Sequence, residues 1–255
     1  MNPALDTVVV RPRHRPDATR TLVCLGFCGG GAGPYLGWAD VVPSDVTLAA
    51  ICYPGREGRF AEEFAGDWDE LAEDATAAVL AAADRPYVLF GHSMGGWMAF
   101  DVVSRLHRHG DRLPEALVVS SANAPSDGLR PRDMFPSQGE TDERLLHWMR
   151  VNGLLPAHVL DDPDLREMAV ELMRADIRVR DSFHYRAGAR VGVPLQVFTG
   201  ADDGVIEPEA TERWRELATN GFRHDTLPGG HFYTPDVWGR LPEFMAPINA
   251  GFPVA

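Results

Sequence analysis

The 255-residue chain contains no lysine; all 24 of its basic residues are arginine. That absence excludes a P-loop lysine, the strand lysine of a kinase and any chemistry through a lysine Schiff base. Basic charge is scarce as well. Against 24 basic residues stand 37 acidic ones, for a formal charge of -13, so no cationic excess exists to neutralise nucleic-acid phosphates or an anionic membrane. Cysteine is limited to Cys24, Cys28 and Cys52. An odd number leaves no complete disulfide framework, and no second pair follows Cys24 and Cys28 at zinc-ligand spacing. A reducing cytoplasm is the simplest reading. No apolar run approaches the ~18 residues of a membrane span, and the N-terminus MNPALDTVVVRPRHRP lacks the apolar core of a signal peptide.

Short apolar runs alternate with longer helical patterns, and no internal repeat is present. Residues 21–26, 46–53, 87–91, 116–121 and 194–199 are nearly continuous in hydrophobicity, as strands buried on both faces are. Residues 222–227 form a weaker sixth run. Helical periodicity fills 68–83, 93–109 and 207–219, with Gly110 as the stop behind His107, Arg108 and His109. This alternation predicts an α/β fold, a mainly parallel sheet flanked by helices. One stretch breaks the rhythm. Residues 124–190 open with a Pro/Gly-rich loop and continue with helical patterns over 142–151 and 163–182. In the second pattern Leu165, Met168, Ala169, Leu172 and Met173 recur on one face. The expected organisation is a single domain over 1–255, with its core at about 20–123 and 191–250. The insertion at about 124–190 is expected to sit as a helical lid over the end of the sheet.

The strongest chemical signal is Gly91-His92-Ser93-Met94-Gly95-Gly96, directly after the run YVLF and opening a helix. This is a G-x-S-x-G nucleophile elbow in its expected strand–turn–helix context. Glycines are required there because side chains at positions 91 and 95 would meet neighbouring backbone. A serine hydroxyl is a weak nucleophile and needs a base and an orienting acid, here expected in the order Ser, Asp, His. Nine histidines compete. His231 lies in the glycine-rich loop Pro228-Gly229-Gly230-His231-Phe232 after the last strand, where the base of such an enzyme belongs. His92 adjoins the nucleophile, but its side chain must point elsewhere. For the acid, Gly200-Ala201-Asp202-Asp203 follows the strand at 194–199; Gly-x-x-Asp spacing favours Asp203 and leaves Asp202 to the turn. An oxyanion hole needs two backbone N–H groups, one from Met94 and one from the loop Gly26–Gly33 after the first predicted strand. That loop is not a dinucleotide fingerprint, because Pro34 stands where a glycine or alanine is needed. Cys28 is expected to contribute its backbone and to pack its sulfur inward.

Taken with LVCLGFCGG and Trp38, the segment Tyr53-Pro54-Gly55-Arg56-Glu57-Gly58-Arg59, LFGHSMGG and LPGGHFY, the chain resembles the type II (editing) thioesterases of polyketide and nonribosomal peptide assembly lines. These belong to the α/β-hydrolase superfamily. The resemblance runs from about Thr21 to Phe244. It implies a Ser93–His231–Asp203 triad and oxyanion-hole donors at Cys28 and Met94. It also implies hydrolysis of acyl thioesters on the phosphopantetheine arm of an acyl or peptidyl carrier protein, with no metal or organic cofactor. Small acyl thioesters would serve as substrates too, and a cytoplasmic monomer is expected. One departure stands out. The family usually has proline, an aromatic or histidine, alanine and two glycines where this chain has Gly26-Phe27-Cys28-Gly29-Gly30, which alters the floor beside the nucleophile. Met168, Leu172 and Met173 are the candidates to line the acyl channel, because an adaptable methionine-bearing face suits a loosely selective pocket. Carrier docking against a -13 protein is expected to use local arginines: Arg56, Arg59, Arg174 and Arg178.

Rival functions share the elbow. A general carboxylesterase and a chain-releasing cyclase or acyltransferase would use the same triad, and a silent hydrolase-fold binding module would not use it at all. The aspartate pair yields a direct test. Asp203→Asn is expected to lower kcat roughly 10³–10⁴-fold by misorienting His231, and Asp202→Asn far less. Steady-state kinetics on an acyl thioester decides, and a reversed order moves the acid by one residue.

Overall fold

The near-continuous apolar runs become strands covered on both faces. Residues 7–249 are described by a computed structural model; of Asp127 only the backbone is considered. Residues 1–6 of the N-terminal stretch and residue 250, the expected end of the core, lie outside them. The strands are β1 (Val9–Val10), β2 (Arg20–Leu25), β3 (Val46–Ile51), β4 (Tyr87–His92), β5 (Ala116–Ser120), β6 (Leu195–Gly200) and β7 (Phe222–Leu227). They form a seven-stranded sheet in the order β1-β3-β2-β4-β5-β6-β7. Every pairing is parallel except that of the edge strand β1 with β3. This is the mainly parallel α/β sheet that the alternation predicted, and it fits the α/β-hydrolase fold that the resemblance implied. β1 was not anticipated, because two residues carry no readable period.

The helices are α1 (Trp68–Ala82), α2 (Met94–His109), α3 (Asp142–Val151), α4 (Ala157–Asp161), α5 (Pro163–Asp181), α6 (Ala210–Leu217) and α7 (Pro235–Gly239). Their starts carry side-chain caps where the sequence supplies them. Asp67 accepts from Glu70 N at 3.0 Å at the head of α1, and Asp162 accepts from Asp164 N at 2.9 Å at the head of α5. Gly110, at φ 73°, closes α2 in the left-handed conformation. The five-residue α4 escaped the sequence reading, being too short to show a face.

The pleat of β2 sorts the core into two layers. Val23 and Leu25 face α1, α2 and the buried side of α5, whereas Leu22 and Cys24 face Tyr35, Trp38 and the C-terminal Leu241, Met245 and Ile248. Between β5 and β6 the chain makes α3, α4 and α5; α5 carries the other two and packs on α1. Because β2 to β7 are parallel, their C-terminal ends share one edge of the sheet. Cys28, Ser93, Asp203 and His231 all follow such ends, after β2, β4, β6 and β7.

The turn from β4 into α2 explains two glycines. A Cβ on Gly91 would lie 1.8 Å from Gly95 O, and one on Gly95 would lie 2.6 Å from Gly26 O. Both clashes are with backbone, which cannot rotate aside. Gly91→Ala is therefore expected to destabilise the fold by at least about 3 kcal/mol. Gly37→Ala, with nothing within 4 Å of its new methyl group, serves as the control. Denaturant titration of both variants checks this, and equal midpoints would refute the clash.

Candidate active site

Ser93 sits where β4 turns into α2, at φ 53° and ψ -124°. A side chain at positive φ is strained by roughly 1–3 kcal/mol. The surroundings hold it there: Ser93 N donates to Ser120 O on the neighbouring strand at 2.8 Å, and Gly96 N returns to Ser93 O at 2.8 Å. Ser93 makes no side-chain cap to its own helix, so its hydroxyl points to the loops instead. His231 Nε2 lies 2.9 Å from Ser93 Oγ, and His231 Nδ1 lies 2.9 Å from Asp203 Oδ2. The Asp203 carboxylate is 0% exposed, and its other oxygen accepts from Val205 N at 3.0 Å. Asp202 is exposed and engages the turn only through its backbone, donating to Gly229 O at 2.9 Å. The structure thus brings together Ser93, His231 and Asp203, and of the two adjacent aspartates it selects Asp203.

A second histidine packs against the first. His92 is buried, its ring 5.2 Å from that of His231, with Nδ1 3.0 Å from Ser120 Oγ. Burial holds its pKa well below the usual histidine range, and the charge on His231 lowers it further.

Cys28 and Met94 line the cavity around Ser93, with the Cys28 sulfur turned inward at 3.4 Å from Met94 Sδ. Burial pushes the Cys28 thiol up to about 12, so it supplies no thiolate at neutral pH. The loop it belongs to is held from outside. Asp176 on α5 accepts from Gly29 N at 2.8 Å and receives both Arg56 amino groups, at 2.8 and 2.7 Å. Arg56 also donates to Gly30 O at 2.7 Å. Glu57 accepts from Ala32 N at 2.8 Å and Gly33 N at 2.9 Å. The segment after β3 is therefore a scaffold for the glycine loop.

The family model for the thioesterase domain matches residues 20–248. This chain belongs to the thioesterase family. AMB antimetabolite synthetase AmbE of Pseudomonas aeruginosa is 37% identical over 82% of the chain, which spans 10% of that much longer protein. The medium-chain S-acyl fatty acid synthase thioesterase of Rattus norvegicus is 30% identical over 91% of the chain and 89% of its own length. The structure of the type II thioesterase BorB from the borrelidin biosynthetic cluster superposes with a TM-score of 0.82 at 32% identity. It covers 94% of this chain and 97% of BorB.

Two sequence expectations for this thioesterase are corrected. Arg56 and Arg59 are not docking residues: they are 5% and 7% exposed. Arg59 pairs with Asp74 at 2.7 Å and Glu62 at 2.6 Å and donates to Cys52 O. Arg174 is engaged with Asp142 and Glu140 O, and Arg178 is exposed. The lid face is also different. Met168 is 41% exposed and Leu172 half-buried, and neither lines the cavity. Met173 is fully buried against the glycine loop, its sulfur 3.0 Å from the position of a Cβ on Gly29. The buried stripe of α5 runs through Val170, Met173, Ile177 and Arg180, roughly opposite Met168 on a helix of 3.6 residues per turn.

The insertion reaches the cavity, of about 190 Å³, through Phe135, Trp148, Asn152 and Arg180. A wider apolar groove of about 550 Å³, walled by Phe27, Phe232 and Trp238, meets it at His231 and Asn152. Asp176 and Arg180 were missed, although a signal existed: two charged residues at i, i+4 on the stripe that carries Met173 and Ile177. A charge on a buried stripe needs a partner. Asp176→Leu, which strands Arg56, is expected to cost about 3–5 kcal/mol of stability. Combining it with Arg56→Met recovers most of that loss, but kcat stays at least about tenfold down because Gly29 N is unheld. Denaturation and turnover of both variants check this.

Proposed function

We propose that this thioesterase is a type II editing enzyme that hydrolyses acyl groups from the phosphopantetheine arm of acyl or peptidyl carrier proteins. The observation that carries the reading is the continuous 2.9 Å Ser93–His231–Asp203 hydrogen-bond chain in a chain 32% identical to a type II thioesterase over nearly its full length.

In this mechanism Asp203 holds the His231 Nδ1 proton, which leaves Nε2 to accept the proton of Ser93 as Oγ attacks the thioester carbonyl. The C–O bond forms and the negative charge moves to the carbonyl oxygen. There the N–H groups of Cys28 and Met94 receive it, helped by the N-terminus of the 16-residue α2. Collapse breaks the C–S bond, and His231 hands its proton to the departing pantetheine sulfur. Water, deprotonated by His231, then attacks the acyl-Ser93 ester and releases the acid, returning the proton to Ser93. No step draws on a metal or an organic cofactor.

The reading extends to organisation. The chain acts as a single cytoplasmic, monomeric domain, with α3, α4 and α5 as the lid over the cavity. The acyl group occupies the small cavity, and Met173 supports the oxyanion loop rather than the chain. Of the four candidate docking arginines, Arg178 alone is left exposed on α5.

Kinetics on acyl-loaded carrier proteins, with the matching oxygen esters alongside, test the reading. The thioesters are expected to be hydrolysed with the higher kcat/KM, and Ser93→Ala is expected to lower kcat by at least about 10³-fold and to abolish fluorophosphonate labelling. Faster oxygen-ester hydrolysis would instead mark a carboxylesterase, and transfer without acid release would mark a cyclase or acyltransferase.

A further inference from the structure

Arg180 is the residue of α5 that lines the cavity beside Ser93. It is 4% exposed. Two of its three nitrogens are fully engaged. Nε donates to Asp181 Oδ1 at 2.9 Å, and Nη2 donates to the same oxygen at 2.7 Å, to Pro136 O at 2.9 Å and to Met134 O at 3.1 Å. Nη1 has no hydrogen-bond partner among the described residues. The guanidinium and its carboxylate partner both act on the Cys28 thiol: the Arg180 charge opposes the burial that raises it, and the Asp181 charge adds to that rise.

Another part of the lining, Trp97, limits what else can enter. It lies parallel to Phe183, at 8° and 5.8 Å between centroids, and donates from Nε1 to Asn123 O at 2.7 Å. So held, it cannot swing away to lengthen a cavity of about 190 Å³. The occupant is a short acyl group in a cavity lined by Arg180, whose Nη1 has no protein acceptor among the described residues. A plain alkyl chain would strip water from Nη1 and return no acceptor, a desolvation cost without compensation. An oxygen on the chain would accept from it.

Charge decides which oxygen. Arg180 is already neutralised by Asp181 at 2.7 Å. Asp133 and Asp203 line the same cavity, so a carboxylate on the acyl group would meet like charges. A ketone or hydroxyl would not.

We propose that Arg180 is a specificity-determining residue that selects short acyl thioesters bearing a neutral oxygen acceptor, ketone or hydroxyl, over alkyl and carboxylated acyl groups of the same length. This rests on the thioesterase reading of Ser93. Four N-acetylcysteamine thioesters test it: butanoyl, 3-hydroxybutanoyl, 3-oxobutanoyl and malonyl, compared by kcat/KM on the full chain. Wild type is expected to favour 3-hydroxybutanoyl over butanoyl by at least about tenfold and to turn over malonyl most slowly, because a site built to hydrogen-bond a substrate oxygen discriminates against the analogue that lacks it. Arg180→Met is expected to collapse the first ratio to about twofold or less. The double variant Arg180→Met/Asp181→Asn removes the carboxylate that the single change strands and is expected to show the same collapse. A wild-type ratio near one, or a ratio that survives in the double variant, overturns the assignment. Malonyl as the best substrate overturns the neutral-oxygen claim. Hydrolysis of none of the four, by protein whose Ser93 still takes a fluorophosphonate, overturns the thioesterase reading itself rather than the choice among acyl groups.

Discussion

The absence of a Cβ at Gly91 and at Gly95 is the constraint on which the site depends. With Gly91 facing Gly95 O and Gly95 facing Gly26 O, three backbone segments pass closer than any Cβ permits. That closeness lets β4 turn into α2 within one residue, leaving Ser93 at φ 53° with its hydroxyl off the helix. The same approach sets Gly26 and the loop after it beside Ser93, so the elbow and the glycine loop are positioned by one contact. The strain at Ser93 is sustained because its N–H is anchored on β5, through Ser120 O, rather than by its own helix.

A buried electrostatic frame holds what the elbow leaves free. The glycine loop has little side-chain bulk with which to fix itself. Its amides are instead tied to carboxylates from two other places: Asp176 on α5 and Glu57 after β3. Arg56 completes the tie by bonding both Asp176 and Gly30 O. The bidentate pair at 5% and 2% exposure is poor evidence for net stability, since desolvation offsets much of its attraction. Its consequence is geometric. The insertion cannot shift along the sheet without disturbing the loop that faces Ser93.

The cavity is mixed in character for the same reason. Charged groups that scaffold the insertion, Arg180 and Asp133 among them, reach its lining and stand beside the indole rings of Trp97 and Trp148. The groove on the other side of His231 is walled by Phe27, Phe232 and Trp238. The imidazole therefore stands between a small chamber of mixed lining and a wider groove walled by aromatic rings, an asymmetry suited to a substrate whose two halves differ.

Much of this was legible in the residues alone. Hydrophobic runs located β2 to β6 to within two residues, because strands buried on both faces must be continuously apolar; the half-exposed β7, FRHDTL, gave only a weak signal. Ser93 and His231 were readable because the chemistry demands glycine around each of them. Other features depended on tertiary contact. A two-residue strand and a five-residue helix carry no period. Arg56 and Arg59 read as docking arginines, since charge pairing between residues 120 positions apart, as in Arg56 and Asp176, leaves no local trace. On α5 the periodicity announced a buried face but not which residues would meet the cavity. That depended on how the helix is rotated against α1 and the glycine loop, and rotation is settled by packing and by the ion pair, not by the helix's own sequence.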